Sequence, residues 1–132
     1  MSAVVDASVL VAATADSGPE GAWAETVAEQ GDLMAPDLAL VEATNILRRL
    51  QLAGRLERLE AGAAARDLLH LDIQLVPYEP FAERIWELRH NLTSYDAWYV
   101  AAAEGLDLPL ATLDRRLAAA TGPDCRFLTP PG

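Results

Sequence analysis

The chain has 132 residues, a formal net charge of −10, and 52% hydrophobic against 23% charged residues. A chain of that size and apolar content buries a real core, which excludes disordered and low-complexity readings. All 10 basic residues are arginine, and the lack of lysine excludes the P-loop, Schiff-base and PLP chemistry, receiver-type phosphoacceptor sites and haloacid-dehalogenase-type phosphatases.

Ala3-Val4-Val5 is a short, β-branched apolar run that ends at Asp6, and it reads as a buried strand. Residues 8–13 have a helical pattern, which Ser17-Gly18-Pro19 breaks. Residues 20–30 read as an amphipathic helix, with Trp23 and Val27 at i, i+4 and Gly31 as its stop. Leu33-Met34-Ala35 is a second strand, and helical spacing then runs from Leu38 to about Leu52, where Ala53-Gly54 ends it. The Ala/Leu-rich stretch 55–71 predicts one or two helices, and 73–76 a third strand. Residues 81–90 predict a helix, 93–104 another that Gly105 ends, 108–112 a strand, 115–120 a short helix and 126–128 a closing strand. Short apolar strands alternating with amphipathic helices predict an α/β fold, a three-layer sandwich whose central parallel sheet of about five short strands is flanked by helices. Neither repeats nor a linker interrupt it, so residues 1–132 are expected to form a single domain.

Cys125 is the only cysteine, so there is no disulfide framework and no multi-Cys zinc site, which points to a reducing compartment. No basic n-region or apolar run of spanning length is present, so a cytoplasmic protein without a membrane role is expected. The acidic balance gives no general attraction for nucleic acid. Any nucleic-acid contact is therefore expected to use a few arginines and not a broad basic surface.

Ligands of such folds bind outside the carboxyl ends of the strands. Asp6 directly follows the first strand, Asp114 follows the 108–112 strand after one residue, Glu42 lies early in the helix after the second strand, and Asp96 lies in the first turn of its helix. Each has a structural alternative: Asp6 and Asp114 suit helix N-caps, and Asp96 suits a capping box with Thr93. Glu42 stands among Leu40, Val41, Ala43 and Ile46, a poor setting for a carboxylate unless that face borders a cleft. Four carboxylates at one sheet edge would repel one another and raise their own pKa values, which calls for a cation. Hard divalent ions take oxygen ligands and support phosphoryl transfer. Asn45 and Arg49, three and seven residues after Glu42, share its helical face, so Asn45 is a candidate to orient Glu42 and Arg49 to meet a phosphate. Arg115 and Arg116 beside Asp114 are further candidates for contact with a phosphate. His70 and His90 lack ligand-like spacing, and Trp23, Trp86 and Trp98 read as core or interface aromatics.

Val4-Val5-Asp6-Ala7-Ser8-Val9-Leu10 resembles the opening motif of PIN-domain ribonucleases, and Pro36-Asp37-Leu38 with Val41-Glu42-Ala43-Thr44-Asn45-Ile46-Leu47 resembles their second. Tyr95-Asp96-Ala97-Trp98-Tyr99-Val100-Ala101 is similar to the third, and Leu110-Ala111-Thr112-Leu113-Asp114 to the fourth. At this length the chain looks like the VapC-type toxin branch. The resemblance implies an endoribonuclease dependent on Mg²⁺ or Mn²⁺, a homodimer, and a cognate antitoxin that blocks the site. It implies Asp6, Glu42, Asp96 and Asp114 as catalytic acids, with Asp6, Asp96 and Asp114 on the metal and Ser8 and Thr112 in support. The competing expectation is a non-catalytic interaction module whose acidic cleft binds a basic partner peptide.

Overall fold

The computed structural model describes residues 1–132. β1 (Ala3–Val5) is buried along its whole length and forms the centre of a parallel sheet. On one side lie β2 (Leu33–Pro36) and then β3 (Ile73–Val76); on the other lie β4 (Leu110–Ala111) and then β5 (Phe127–Leu128), giving the order β3-β2-β1-β4-β5. Every pairing is parallel. A parallel sheet needs crossover helices, and they cover its faces, which is why β1 carries no polar alternation.

Seven helices make the outer layers: α1 (Ala7–Ala15), α2 (Pro19–Glu29), α3 (Ala39–Leu52), α4 (Arg58–His70), α5 (Ala82–Glu87), α6 (Ser94–Leu106) and α7 (Arg115–Ala118). α6 packs on β1, β2 and β4. Its Ala97, Ala101, Ala102 and Ala103 are fully buried, and their small side chains let the helix axis approach the strands. α1 packs with α2, α3 and α4. The result is a three-layer α/β sandwich whose apolar cluster joins strands and helices through Val4, Leu10, Leu47, Val100 and Leu110.

The differences from the sequence pattern lie mostly at element ends. α6 runs through Gly105 to Leu106 and is terminated by Asp107, which takes the left-handed conformation at φ 53°. Gly105 serves packing instead of termination: a Cβ there would lie 2.8 Å from the Phe81 ring. The 81–90 segment is shorter than its periodicity predicts, with a 3₁₀ turn at Glu79–Phe81 before α5. Residues 55–71 hold one helix, whose start is set by the capping pair Glu57 and Glu60. Trp86 is 66% exposed and carries the Arg89 guanidinium over its ring, so it lies outside the core. No helix is long and apolar enough to cross a membrane.

Candidate active site

The strand order creates the site. The chain leaves β1 toward β2 and leaves β4 toward β5, so β1 and β4 are neighbours whose connections diverge. A crevice opens at the carboxyl ends of such a pair. Val5 is in register with Ala111, so the next residue on each strand, Asp6 and Thr112, stand side by side.

Asp6 is buried, 7% exposed, and both of its carboxylate oxygens accept hydrogen bonds. Oδ1 accepts from the Ser8 hydroxyl at 2.5 Å and from the Val9 backbone N–H at 3.2 Å, so the acid is also the N-cap of α1. Oδ2 accepts from the Thr112 hydroxyl. Each hydroxyl receives a loop amide in turn: Leu113 N–H donates to Ser8 Oγ at 3.2 Å and Asp114 N–H to Thr112 Oγ1 at 2.9 Å. Thr112 is itself completely buried. Burial pushes the Asp6 carboxyl above the ordinary aspartate range, against the opposing pull of the Ser8 and Thr112 hydroxyls.

Glu42 enters from the first turn of α3 and meets α6, where the buried Tyr99 phenol donates to its Oε1 at 2.8 Å. Burial raises its carboxyl pKa, the Tyr99 hydrogen bond opposes that, and the negative charges of Asp96 and Asp6 raise it further. Burial and the charge of Glu42 push the Tyr99 phenol far above its usual value, so it stays a donor. Asp96 lies in the first turn of α6, where Thr93 caps the helix by accepting the Asp96 backbone N–H at 3.2 Å. Burial raises the Asp96 carboxyl pKa, as does the charge of Asp114. Asp114 is exposed at the rim, and its Oδ1 caps α7 by accepting from Arg116 and Leu117 N–H at 3.0 and 3.3 Å. The capping roles of Asp6 and Asp114 therefore coexist with their place at the crevice, because a strand-end acid reaches both.

The supporting residues divide. Ser8 and Thr112 touch Asp6, whereas Asn45 is exposed and makes no side-chain hydrogen bond. The group that orients Glu42 is Tyr99 instead, because its phenol reaches Glu42 from α6 while Asn45 is turned to solvent. Tyr99 carries its own sequence signal: it follows Asp96 by three residues on one helical face, and a buried phenol needs a partner. Arg49 and Arg116 are exposed without an ion-pair partner, while Arg115 donates to the Pro130 carbonyl at 2.8 Å. His70 and His90 are exposed. Next to Ser8 and Leu113, an apolar cleft of about 500 Å³ runs between Val11, Ile46 and Leu50 toward Arg55.

Comparison with known proteins agrees with this fold. The PIN domain profile matches residues 3–123. Ribonuclease VapC1 of Mycobacterium tuberculosis is 41% identical over 125 residues, 94% of each chain, and ribonuclease VapC9 of the same organism is 38% identical over 115 residues, 87% of each. Among solved structures, PAE2754 from Pyrobaculum aerophilum superposes with a TM-score of 0.66 at 27% identity, over 90% of this chain and 86% of that one. A profile that runs from β1 past α7, and relatives alike over nearly their whole length, place the chain in the PIN-domain family, in its VapC-type branch.

Proposed function

We propose that the chain is a metal-dependent endoribonuclease, the toxin of a toxin–antitoxin pair. The observation that carries this reading is uncompensated negative charge at the β1–β4 crevice. Burial or neighbouring charge raises the carboxyl pKa of Asp6, Glu42 and Asp96, yet no arginine pairs with any of the four acids. A cation from outside relieves that repulsion.

The donor set is all carboxylate, which suits a hard ion such as Mg²⁺ or Mn²⁺. No three acidic, His or Cys side chains close into a ready cage. Asp6, Asp96 and Asp114, the three acids expected on the metal, are therefore not gathered about one point, and an ion would be held by one or two carboxylates with its other positions left to water and a phosphate. Asp6 and Asp96 would hold it, with Asp114 at the rim. The ion, when bound, would acidify water and polarise the scissile phosphate. Ser8 and Thr112 aim Asp6, and their hydrogen bonds oppose the upward push of burial on its pKa. Glu42 has its Oε2 free of hydrogen bonds within the chain, so it can take a proton from the attacking water while Tyr99 holds Oε1.

The relatives carry ribonuclease names, which favours RNA over DNA as substrate. The same acids would attract an arginine or lysine of an antitoxin, which would displace the ion and silence the site. A homodimer is the assembly that accompanies this reading. The deciding experiment offers RNA and DNA of one sequence to wild type and Asp6→Asn, in Mn²⁺ and in EDTA. RNA cleavage that needs Mn²⁺ and falls at least ~100-fold in the variant supports the proposal. Full cleavage in EDTA overturns the metal; equal cleavage of DNA overturns the substrate.

A further inference from the structure

We infer that the hairpin of α3 and α4 is the arm that carries the phosphate backbone of the RNA substrate. The inference rests on RNA being that substrate. Residues 48–66 hold five of the ten arginines, Arg48, Arg49, Arg55, Arg58 and Arg66, against two acids, Glu57 and Glu60. That is a net charge of +3 in a chain of −10, so the rest of the molecule stands at −13.

All five guanidiniums are exposed and none pairs with a carboxylate, although acids outnumber bases two to one. Every ion pair in the protein belongs to Arg84. The two acids of the segment are placed at the start of α4, where Glu60 accepts the Glu57 N–H at 3.0 Å. Charge there is committed to the helix end, and the arginines are left free for an outside anion.

The hairpin also has recesses of nucleotide size. One of about 360 Å³ lies between α3 and α4, bordered by Thr44, Arg48, Gln51 and Arg58. Arg66 follows on α4, its guanidinium 3.7 Å from where a Cβ on Gly62 would stand. A smaller one, about 240 Å³, is edged by Arg49 and Arg55. Planar guanidiniums at the edges of these recesses suit phosphate oxygens, which they grip with paired N–H groups.

Continuity with the site argues for RNA over an acidic protein segment. α3 begins at the crevice with Glu42, and Arg49 follows on the same face two turns later, roughly 10 Å along the axis. An RNA drawn to a chain this acidic is repelled almost everywhere else. Arg49, with Arg55 beside it at the smaller recess, is the end of the arm nearest the carboxylates.

The test measures binding of a fluorescein-labelled 14-nucleotide single-stranded RNA by fluorescence anisotropy, in EDTA and across a salt series. Arg48→Gln/Arg49→Gln/Arg58→Gln should bind at least ~10-fold more weakly at 0.1 M salt. Its salt slope should be shallower by about 2, at roughly 0.7 per lost contact. The triple lysine variant should keep most of the affinity, and Arg126→Gln, at the entry to β5, should bind as wild type does. Equal affinity and slope in wild type and the triple glutamine variant would overturn the inference. So would a loss confined to a poly-glutamate peptide, which would make the arm a protein-docking surface. Cleavage in Mn²⁺ is scored separately: a chain that binds RNA through the arm and cuts none refutes the nuclease reading alone.

Discussion

Thr112 and Asp6 are 106 residues apart in the chain and share a buried hydrogen bond at the ends of β4 and β1. The Thr112 hydroxyl donates to the Asp6 carboxylate and accepts the Asp114 N–H, so one oxygen fixes both the central acid and the loop that carries the rim acid. Thr112→Val keeps the shape and removes the hydroxyl. It leaves a buried carboxylate oxygen and a loop amide unpaired, and should cost about 1–3 kcal/mol in urea unfolding. Thr112→Ser should recover most of that loss. A valine variant as stable as wild type would mean that the hydroxyl does not hold Asp6.

Tyr99 should matter to activity more than to stability. Tyr99→Phe leaves the ring in the core but frees Glu42 Oε1, which is half-buried and can turn to water. Removing such an orienting partner typically costs about 10–100-fold in activity or metal affinity. Isothermal titration with Mn²⁺ and single-turnover RNA cleavage would measure both effects. An unchanged pair of values would show that Glu42 needs no support from α6.

The apo-protein should lose stability as pH rises. Asp6, Glu42 and Asp96 have raised carboxyl pKa values, so the folded state keeps protons that the unfolded chain has already released. Their contribution is absent at low pH, becomes destabilising from the ordinary carboxylate range upward, and levels off above the folded values. Saturating Mn²⁺ at a hundredfold excess over its Kd should restore about 2.7 kcal/mol. Asp96→Asn removes one like charge and should raise the melting point in EDTA while weakening the Mn²⁺ shift. Thermal melts in EDTA and Mn²⁺ at several pH values decide this. A lower melting point for the apo variant would show that Asp96 acts mainly through its helix end.

Gly21 should tolerate no side chain. It is buried in α2, and a Cβ there would lie 1.8 Å from the Asp16 carbonyl oxygen, backbone that closes α1. Gly21→Ala gains about 1 kcal/mol of helix propensity, yet α1 and α2 must separate to admit the methyl. The variant should be destabilised by about 1–3 kcal/mol or more, read from its urea midpoint. A stabilised variant would mean that the α1–α2 crossing is looser than the structure has it.

Local chemistry in the sequence determined the element order and the acids at the strand ends. Apolar β-branched runs mark strands in any context, and a parallel sheet sends every strand's carboxyl end to one edge, so Asp6 and Asp114 were legible from position alone. The ends of α5 and α6 were not, because Gly105 reads locally as a helix stop but is set by the Phe81 ring against it. Only the tertiary structure decided which groups hold the acids. Helical periodicity puts Asn45 on the Glu42 face, but it says nothing about which distant side chain reaches that face, and Tyr99 of α6 supplies the hydrogen bond instead. The arginines follow the same logic. Five lie between residues 48 and 66 in the sequence, but their freedom from acids depends on how α3 and α4 pack and on Glu57 and Glu60 being used at a helix end. Sequence spacing specifies a direction around one helix; contact between side chains far apart in the chain is set by how the helices and strands pack.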